Sequence, residues 1–436
     1  MDKDFETLLG SLEDIQLTTV NGRITEIVGM LIRAVIPNVK IGEVCLIKRD
    51  GDPLRCEVVG FTRDEVLLSP LGEMTGIGPS SEVIPTRLPL HIKVGPQLLG
   101  RILNALGEPL DEDTKGPLIL DETYPVLQAP PDPLTRRRIT EPISTGIRVI
   151  DGVLTTGVGQ RVGIFAAAGG GKSTLLGMIA RNARADVNVI SLIGERGREL
   201  RDFIEKDLGP EGLARSVIVV STSDQASQLR LNAAYVGTAI AEYFRDQGKS
   251  VILMQDSITR FARAVREIGL AAGEPPARAG YTPSVFSTLP KLLERTGNSD
   301  KGSITAFYTI LVAGDDMNEP VADEVRSILD GHIILSDELA QKNHYPAVRV
   351  LASKSRVINS ITGKDHQKHI NTLREVLANY EKNELLIKIG EYKKGSDRAG
   401  DFALDNIEKV NKFLKQGIDE KCSYEETLQL LKMMFR

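Results

Sequence analysis

Cysteine and histidine are scarce in this 436-residue chain, and no strong excess of either charge is present. The three cysteines, Cys45, Cys56 and Cys422, form no Cys-x-x-Cys pair and leave at least one unpaired, which favours buried free thiols over disulfides or a zinc site. Five scattered histidines suggest no metal cluster. With 54 basic against 59 acidic residues the net charge is −5, which argues against a whole-surface electrostatic footprint for nucleic acid and leaves open only a local basic channel. No apolar run approaches a membrane span, and Met1-Asp2-Lys3-Asp4 is neither a basic leader nor a transit peptide, so a cytoplasmic chain is expected.

What is present divides the length into parts, since 436 residues exceed one ordinary core. Phe5, Leu8, Leu9, Leu12 and Ile15 recur at helical spacing with acids between them, so residues 1–16 read as an amphipathic helix, docked on its own body or serving as a partner-binding arm. Over 17–92 the pattern becomes short and β-rich. Turn signals stand at Asn21-Gly22 and Asp50-Gly51-Asp52, with 44–47 facing 56–59 across the second, and a small antiparallel barrel would close such strands without exposed edges. Gly95-Pro96, Gly107-Glu108-Pro109 and Pro130-Pro131-Asp132-Pro133 mark 93–150 as a lead-in connection. Apolar strands at 187–193, 216–220, 251–255, 303–312 and 332–335 then alternate with helical patterns. That is the mark of a largely parallel α/β sheet with its ligand site at the carboxyl ends of the strands. Beyond 362 the pattern is helical: Leu373, Val376, Leu377 and Tyr380 form one stripe, Phe402, Ile407, Val410, Phe413 and Leu414 another, and Ser423 with Glu426 a capping box.

The most specific chemistry lies in Ala166-Ala167-Ala168-Gly169-Gly170-Gly171-Lys172-Ser173-Thr174, between an apolar run at 162–165 and a helical pattern. Small residues let backbone N–H groups wrap a polyphosphate, Lys172 supplies a cation to the terminal phosphates, and the Ser173 hydroxyl can ligate Mg²⁺ at a helix N-terminus. Ala166 departs from the pattern, which has glycine there. A strand over 251–255 ends in Asp256, where a carboxylate can hold the Mg²⁺ shell through water or merely cap the next helix. Another ends before Glu195, placed to polarise an attacking water, with Gly194 leaving room beside the terminal phosphate. Arg196 could neutralise developing charge or simply pair with a neighbouring acid.

The phosphate loop, Gly194-Glu195-Arg196-Gly197-Arg198-Glu199, Asp256-Ser257-Ile258-Thr259-Arg260-Phe261 and the block from Glu274 to Phe286 together resemble the rotary-type ATPases. Pro320-Val321-Ala322-Asp323-Glu324-Val325-Arg326-Ser327-Ile328-Leu329-Asp330-Gly331-His332-Ile333-Ile334-Leu335-Ser336 looks more narrowly like the type III protein-secretion ATPases of bacterial flagella and injectisomes. The likeness runs from about residue 20 to 416, and Ala166 recurs in some injectisome-type relatives.

The resemblance implies a RecA-like motor over 93–361, an N-terminal antiparallel β-barrel and a C-terminal helical domain over 362–436. It further implies ATP and Mg²⁺, hydrolysis at the interfaces of a homohexamer, and an arginine finger matching Arg356. Tyr345 matches the position that stacks on adenine, although an aromatic before proline is also ordinary packing. Arg260 and Arg278 match further basic positions, and Asp315 and Asp316 fit loop or Mg²⁺-shell roles equally. The implied partners are stator and stalk proteins, secretion chaperones and export substrates. The implied location is cytoplasmic, peripheral at the inner-membrane export gate through those partners. Two other readings compete: a subunit of a rotary ATP synthase, which need not keep Glu195 if it only binds nucleotide, and a hexameric RNA translocase. The second calls for a basic, aromatic-rich barrel, whereas this one has mixed charge and few aromatics.

Overall fold

The computed structural model describes residues 20–167, 169–312 and 317–435, so the helix expected over 1–16 lies outside the described residues, as do Ala168, Asp315 and Asp316. The chain divides into two compact units, one of 1–90 with 271–273 and one of 91–270 with 274–436.

In the first unit, alternation of apolar and polar residues produces β1 (Gly22–Val28), β2 (Leu31–Val35), β3 (Glu43–Ile47), β4 (Leu54–Phe61), β5 (Val66–Pro70) and β6 (Glu82–Pro89). They close into an antiparallel barrel in the order β1-β2-β5-β4-β3-β6. Bulges at Ile24/Glu26, Glu43/Cys45 and Val58/Gly60 bend β1, β3 and β4 enough for so few strands to meet. Ile32, Cys45, Ile47, Cys56, Leu68 and Val83 fill the interior. The register differs from expectation. Val44 opposes Glu57 and Ile47 opposes Leu54, so 44–47 faces 54–57. Sliding a strand by two residues returns every side chain to its own face, so periodicity cannot detect the shift and the turn length decides it. All three cysteines are buried and free.

The second unit is built on a sheet of β8 (Ile102–Asn104), β10 (Arg161–Ala166), β11 (Val187–Glu195), β12 (Ser216–Thr222), β13 (Ser250–Asp256), β14 (Gly297–Asn298), β15 (Ser303–Leu311), β16 (Gly331–Ile334) and β17 (Lys354–Ser355). The order is β17-β16-β10-β15-β13-β11-β12-β8, with β14 beside β15. All pairs are parallel except those of β14 and β17, and every residue of β11 is buried, as a strand covered on both faces requires. Parallel alignment brings the carboxyl ends of β10, β13 and β11 to one edge.

The lead-in proves to be more than connection. Besides a small pair of β7 (His91–Val94) and β9 (Glu122–Pro125), it gives the sheet its edge strand β8, parallel to β12, and buries Leu98, Leu103, Ile147 and Ile150. Strands of three or four residues between Gly and Pro turns are too short to show a period. Arg295 and Glu242, 1% and 2% exposed, fasten this region internally: the guanidinium donates to both carboxylate oxygens at 2.9 and 2.5 Å and to the Val126 carbonyl at 2.9 Å.

The C-terminal region consists of the helices Lys364–Lys388, Arg398–Leu414 and Tyr424–Met434. Leu373, Val376, Ile407, Val410, Phe413 and Leu414 join the same core as Ile150, Ile179 and Val348. The Ser423–Glu426 capping box is present in both directions. Phe402 departs from its expected stripe and is 45% exposed, with its ring near Phe435. The buried face at the start of its helix is made by Gly400 and Ala403, and Phe402 lies beside it.

Candidate active site

Strand β10 delivers the phosphate loop. Ala166 is its last residue, paired with Leu311 in regular strand register, so a side chain at the departing position fits there without backbone strain. The glycines are used further on: Gly169 and Gly171 have φ of 91° and 80°. Gly171 is the left-handed N-cap of the helix Lys172–Asn182 and provides no side-chain cap. The first-turn N–H groups are therefore free to meet an anion at the positive end of the helix. The Thr174 hydroxyl is engaged by Asp207, a carboxyl that burial pushes above its usual range against that hydrogen bond.

Two strand ends converge on Lys172. Its Nζ lies 2.5 Å from Asp256 Oδ1 and 3.6 Å from Glu195 Oε1. Asp256 ends β13 and is 3% exposed; the same Oδ1 accepts from Thr309 Oγ1 at 2.7 Å, on the intervening strand β15. Glu195 is the last residue of β11, reached through a bulge between Ile193 and Glu195, rather than lying just past the strand. Arg260, on the helix Ile258–Ala271, lies with Nε 3.3 Å from Glu195 Oε1. Burial raises the Glu195 carboxyl above its ordinary value; Asp256 adds to the rise, while Lys172 and Arg260 oppose it. A half-buried lysine between two carboxylates is an arrangement that a triphosphate can enter by replacing one set of negative charges with another. A hydroxyl at Ser173 and a carboxylate at Asp256 also form a donor set suited to a Mg²⁺ that arrives on a nucleotide and keeps several waters.

Gly194 also makes room within the protein itself. Its φ is 67°, and a Cβ there would lie 2.9 Å from Arg260 Cδ, so its small size admits the arginine that flanks Glu195. Arg196 does not join the cluster. Its side chain is exposed and pairs with Glu199 at 3.2 Å, the second of its two sequence readings. Arg278 likewise pairs on the surface, with Asp323 at 3.4 Å.

Tyr345 stands at the mouth of a cleft of about 650 Å³ beside the phosphate loop. Its ring carbons lie 3.5–3.6 Å from where a Cβ on Gly171 would be, and it is 42% exposed, leaving ring surface for a planar ligand. Leu175 and Met178 line the helix side, and 415–418 line the far side. That last segment was not foreseen: its only sequence signal, Gly417 after an apolar stripe, marks a helix end and says nothing of a site hundreds of residues earlier.

Arg356 lies away from all of this. Its backbone N–H donates to the Asp330 carbonyl, and Asp330 in turn donates to Arg161, the first residue of β10. The guanidinium is exposed and reaches the carbonyls of Arg326 and Ser327 at 3.1 and 3.5 Å. The phosphate loop begins at the opposite end of β10, about 16 Å along the strand at ~3.3 Å per residue.

Family models agree with this architecture. The ATP synthase alpha/beta family beta-barrel domain matches residues 24–87, the nucleotide-binding domain of that family 146–355, and the T3SS EscN ATPase C-terminal domain 362–433. The type 3 secretion system ATPase of Xanthomonas euvesicatoria is 56% identical over 412 residues, 94% of this chain and 93% of that protein. The flagellum-specific ATP synthase of Bacillus subtilis (strain 168) is 53% identical over 415 residues, 94% of each chain. Among solved structures, the assembled ATPase EscN of the enteropathogenic E. coli type III secretion system matches with a TM-score of 0.90 and 45% identity, covering 95% of this chain and 100% of that one. EscN in complex with its central stalk EscO matches at 0.88 and 44% identity, with the same coverage. With its barrel, its phosphate loop ringed by strand-end carboxylates and its helical C-terminus, the chain belongs to the ATPase family of type III secretion and flagellar systems.

Proposed function

We propose that this protein hydrolyses Mg-ATP at the interfaces of a homohexameric ring and uses the energy for unfolding, chaperone release and export of proteins through a type III secretion apparatus. The observation that carries the reading is the Lys172–Asp256–Glu195 cluster, with Arg356 at the far end of the same strand. In it, the loop N–H groups and Lys172 hold the β- and γ-phosphates. Ser173 would hold the Mg²⁺ and Asp256 its water shell, where the ion would neutralise phosphate charge. Glu195 accepts a proton from the attacking water, and its raised pKa makes it a stronger base than a solvated glutamate. Arg356 of a neighbouring subunit stabilises charge on the transferring phosphoryl group, as its distance from its own loop favours. Tyr345 stacks on the adenine. Arg196, paired with Glu199 in the single chain, would join only if a neighbouring subunit or nucleotide displaced that pair.

The relatives support the export reading over a rotary synthase subunit or an RNA translocase. The EscN–EscO complex supports a stalk partner, and export chaperones, substrates and a peripheral place at the inner membrane follow from the same reading. No helix among the described residues is long and apolar enough to cross a membrane, which accords with attachment through partners. The test is Glu195→Ala: turnover should fall at least ~100-fold while nucleotide binding is retained. Near-normal hydrolysis would overturn the assignment of the base.

A further inference from the structure

We infer that Gln416 is a positioning residue that sets the aromatic wall of the base cleft: its side-chain amide ties the C-terminal helices to the start of the motor, and so seats the backbone N–H that holds the Tyr345 turn. This rests on the reading of the cleft as the base site. Gln416 follows the helix Arg398–Leu414 and is 5% exposed. Its amide is fully engaged: Nε2 donates to the Gly146 carbonyl at 2.8 Å and to the Glu420 carbonyl at 2.9 Å, and Oε1 accepts from the Arg148 N–H at 2.8 Å. Two carbonyls and one N–H fix which end of the amide is which. Its backbone N–H donates to the Tyr345 carbonyl at 2.9 Å.

Arg148 reinforces the knot. Its guanidinium donates to the Phe413 carbonyl at 3.0 Å and to the Lys415 carbonyl, and it pairs with Glu420. On the motor side, Asp151 holds the loop that carries Gly146, accepting from the Thr145 and Gly146 N–H groups at 2.9 and 3.0 Å. The Tyr345 turn is therefore seated on a segment whose place depends on Gln416. None of these bonds reaches Lys172, Glu195 or Asp256, so the phosphate end is held independently. Loss of the amide should loosen the wall against which a base stacks and spare the polyphosphate site, because small errors of placement weaken stacking without touching the loop.

The experiment measures competitive inhibition of ATP hydrolysis by ADP, which carries a base, and by inorganic tripolyphosphate, which does not. In Gln416→Ala the ADP Ki and the ATP KM should rise about tenfold while kcat and the tripolyphosphate Ki change less than about threefold. Gln416→Met keeps the volume and discards the hydrogen bonds, and should reproduce the loss with a near-native melting curve. In a Tyr345→Ala background, Gln416→Ala should add nothing. Equal weakening of both inhibitors, full additivity with Tyr345→Ala, an unchanged ADP Ki, or misfolding of both Gln416 variants would each overturn the inference. If Tyr345→Ala itself leaves the ADP-to-tripolyphosphate ratio unchanged, the base-site reading fails, and the inference with it. If Tyr345→Ala changes the ratio and Gln416→Ala does not, the inference alone fails.

Discussion

The two ends of strand β10 differ sharply. At its carboxyl end, Lys172 is held between Asp256 and Glu195, with Thr309 and Arg260 bracing the carboxylates. At its amino end, Arg356 is exposed and held only by the carbonyls of Arg326 and Ser327. One end gathers a lysine, an arginine and two carboxylates where an anionic Mg-nucleotide complex can be held; the other offers a cation with no acid bound to its guanidinium among the described contacts. Each end has what the other lacks, and about 16 Å of strand keeps them apart within one chain. A second copy of the chain can bring them together, and this is the physical content of an interfacial active site.

Breaking either end should have the largest effects. Lys172→Ala removes the cation that meets the phosphates, and turnover should drop by ~10³-fold or more in a steady-state assay. Arg356→Ala should lose turnover by about 10³-fold while ADP affinity changes little, if its proposed role in the transition state of a neighbour's reaction holds. Comparable loss of ADP binding would assign Arg356 to the ground-state pocket instead. Next in size is a contrast in stability. Glu242→Ala strands the buried Arg295 and should cost ~3–5 kcal/mol in denaturant unfolding. Glu199→Ala breaks the exposed Arg196 pair and should cost under ~0.5 kcal/mol. Similar values for the two would contradict full burial of the Arg295–Glu242 pair.

The smallest effect concerns pH. Since the Glu195 carboxyl is raised and the base must be ionised, turnover should fall on acidification at a pH above the ordinary glutamate value of about 4.3. The sign for stability is opposite to the usual acid denaturation. A raised folded-state pKa means that Glu195 stabilises the fold most when protonated, and this contribution is lost as pH rises through the raised value. An acid limb at an unshifted carboxylate pH would place Glu195 in a more solvated setting when nucleotide is bound.

Much of the candidate site is legible because its parts occur where sequence speaks most clearly: an apolar strand followed by one charged residue, as at Asp256 and Glu195, or by a run of small residues and a lysine. What escaped was set by tertiary contact. Thr309 is one polar residue within a buried strand, and Arg260 finds Glu195 only because Gly194 makes room. The segment 415–418 meets Tyr345 through packing of the C-terminal helices on the motor, which no local pattern encodes. In the barrel the strand pattern gave the right faces and the wrong offset, since a two-residue slip preserves both. Strand β8 looks like linker in the sequence because three residues carry no period. The resemblance supplied Arg356 and Tyr345, which local chemistry alone would have left as a surface arginine and a packed aromatic.

The complementarity of the two ends is tested most directly by mixing Lys172→Ala and Arg356→Ala chains, each inactive alone, and measuring ATP turnover. Hybrid interfaces that pair an intact loop from one chain with an intact Arg356 from the other should restore a fraction of wild-type activity, dependent on the mixing ratio and on protein concentration. Turnover that stays at the level of the separate variants in verified mixed assemblies, or an Arg356→Ala chain that is fully active as a monomer, would contradict an active site shared between subunits.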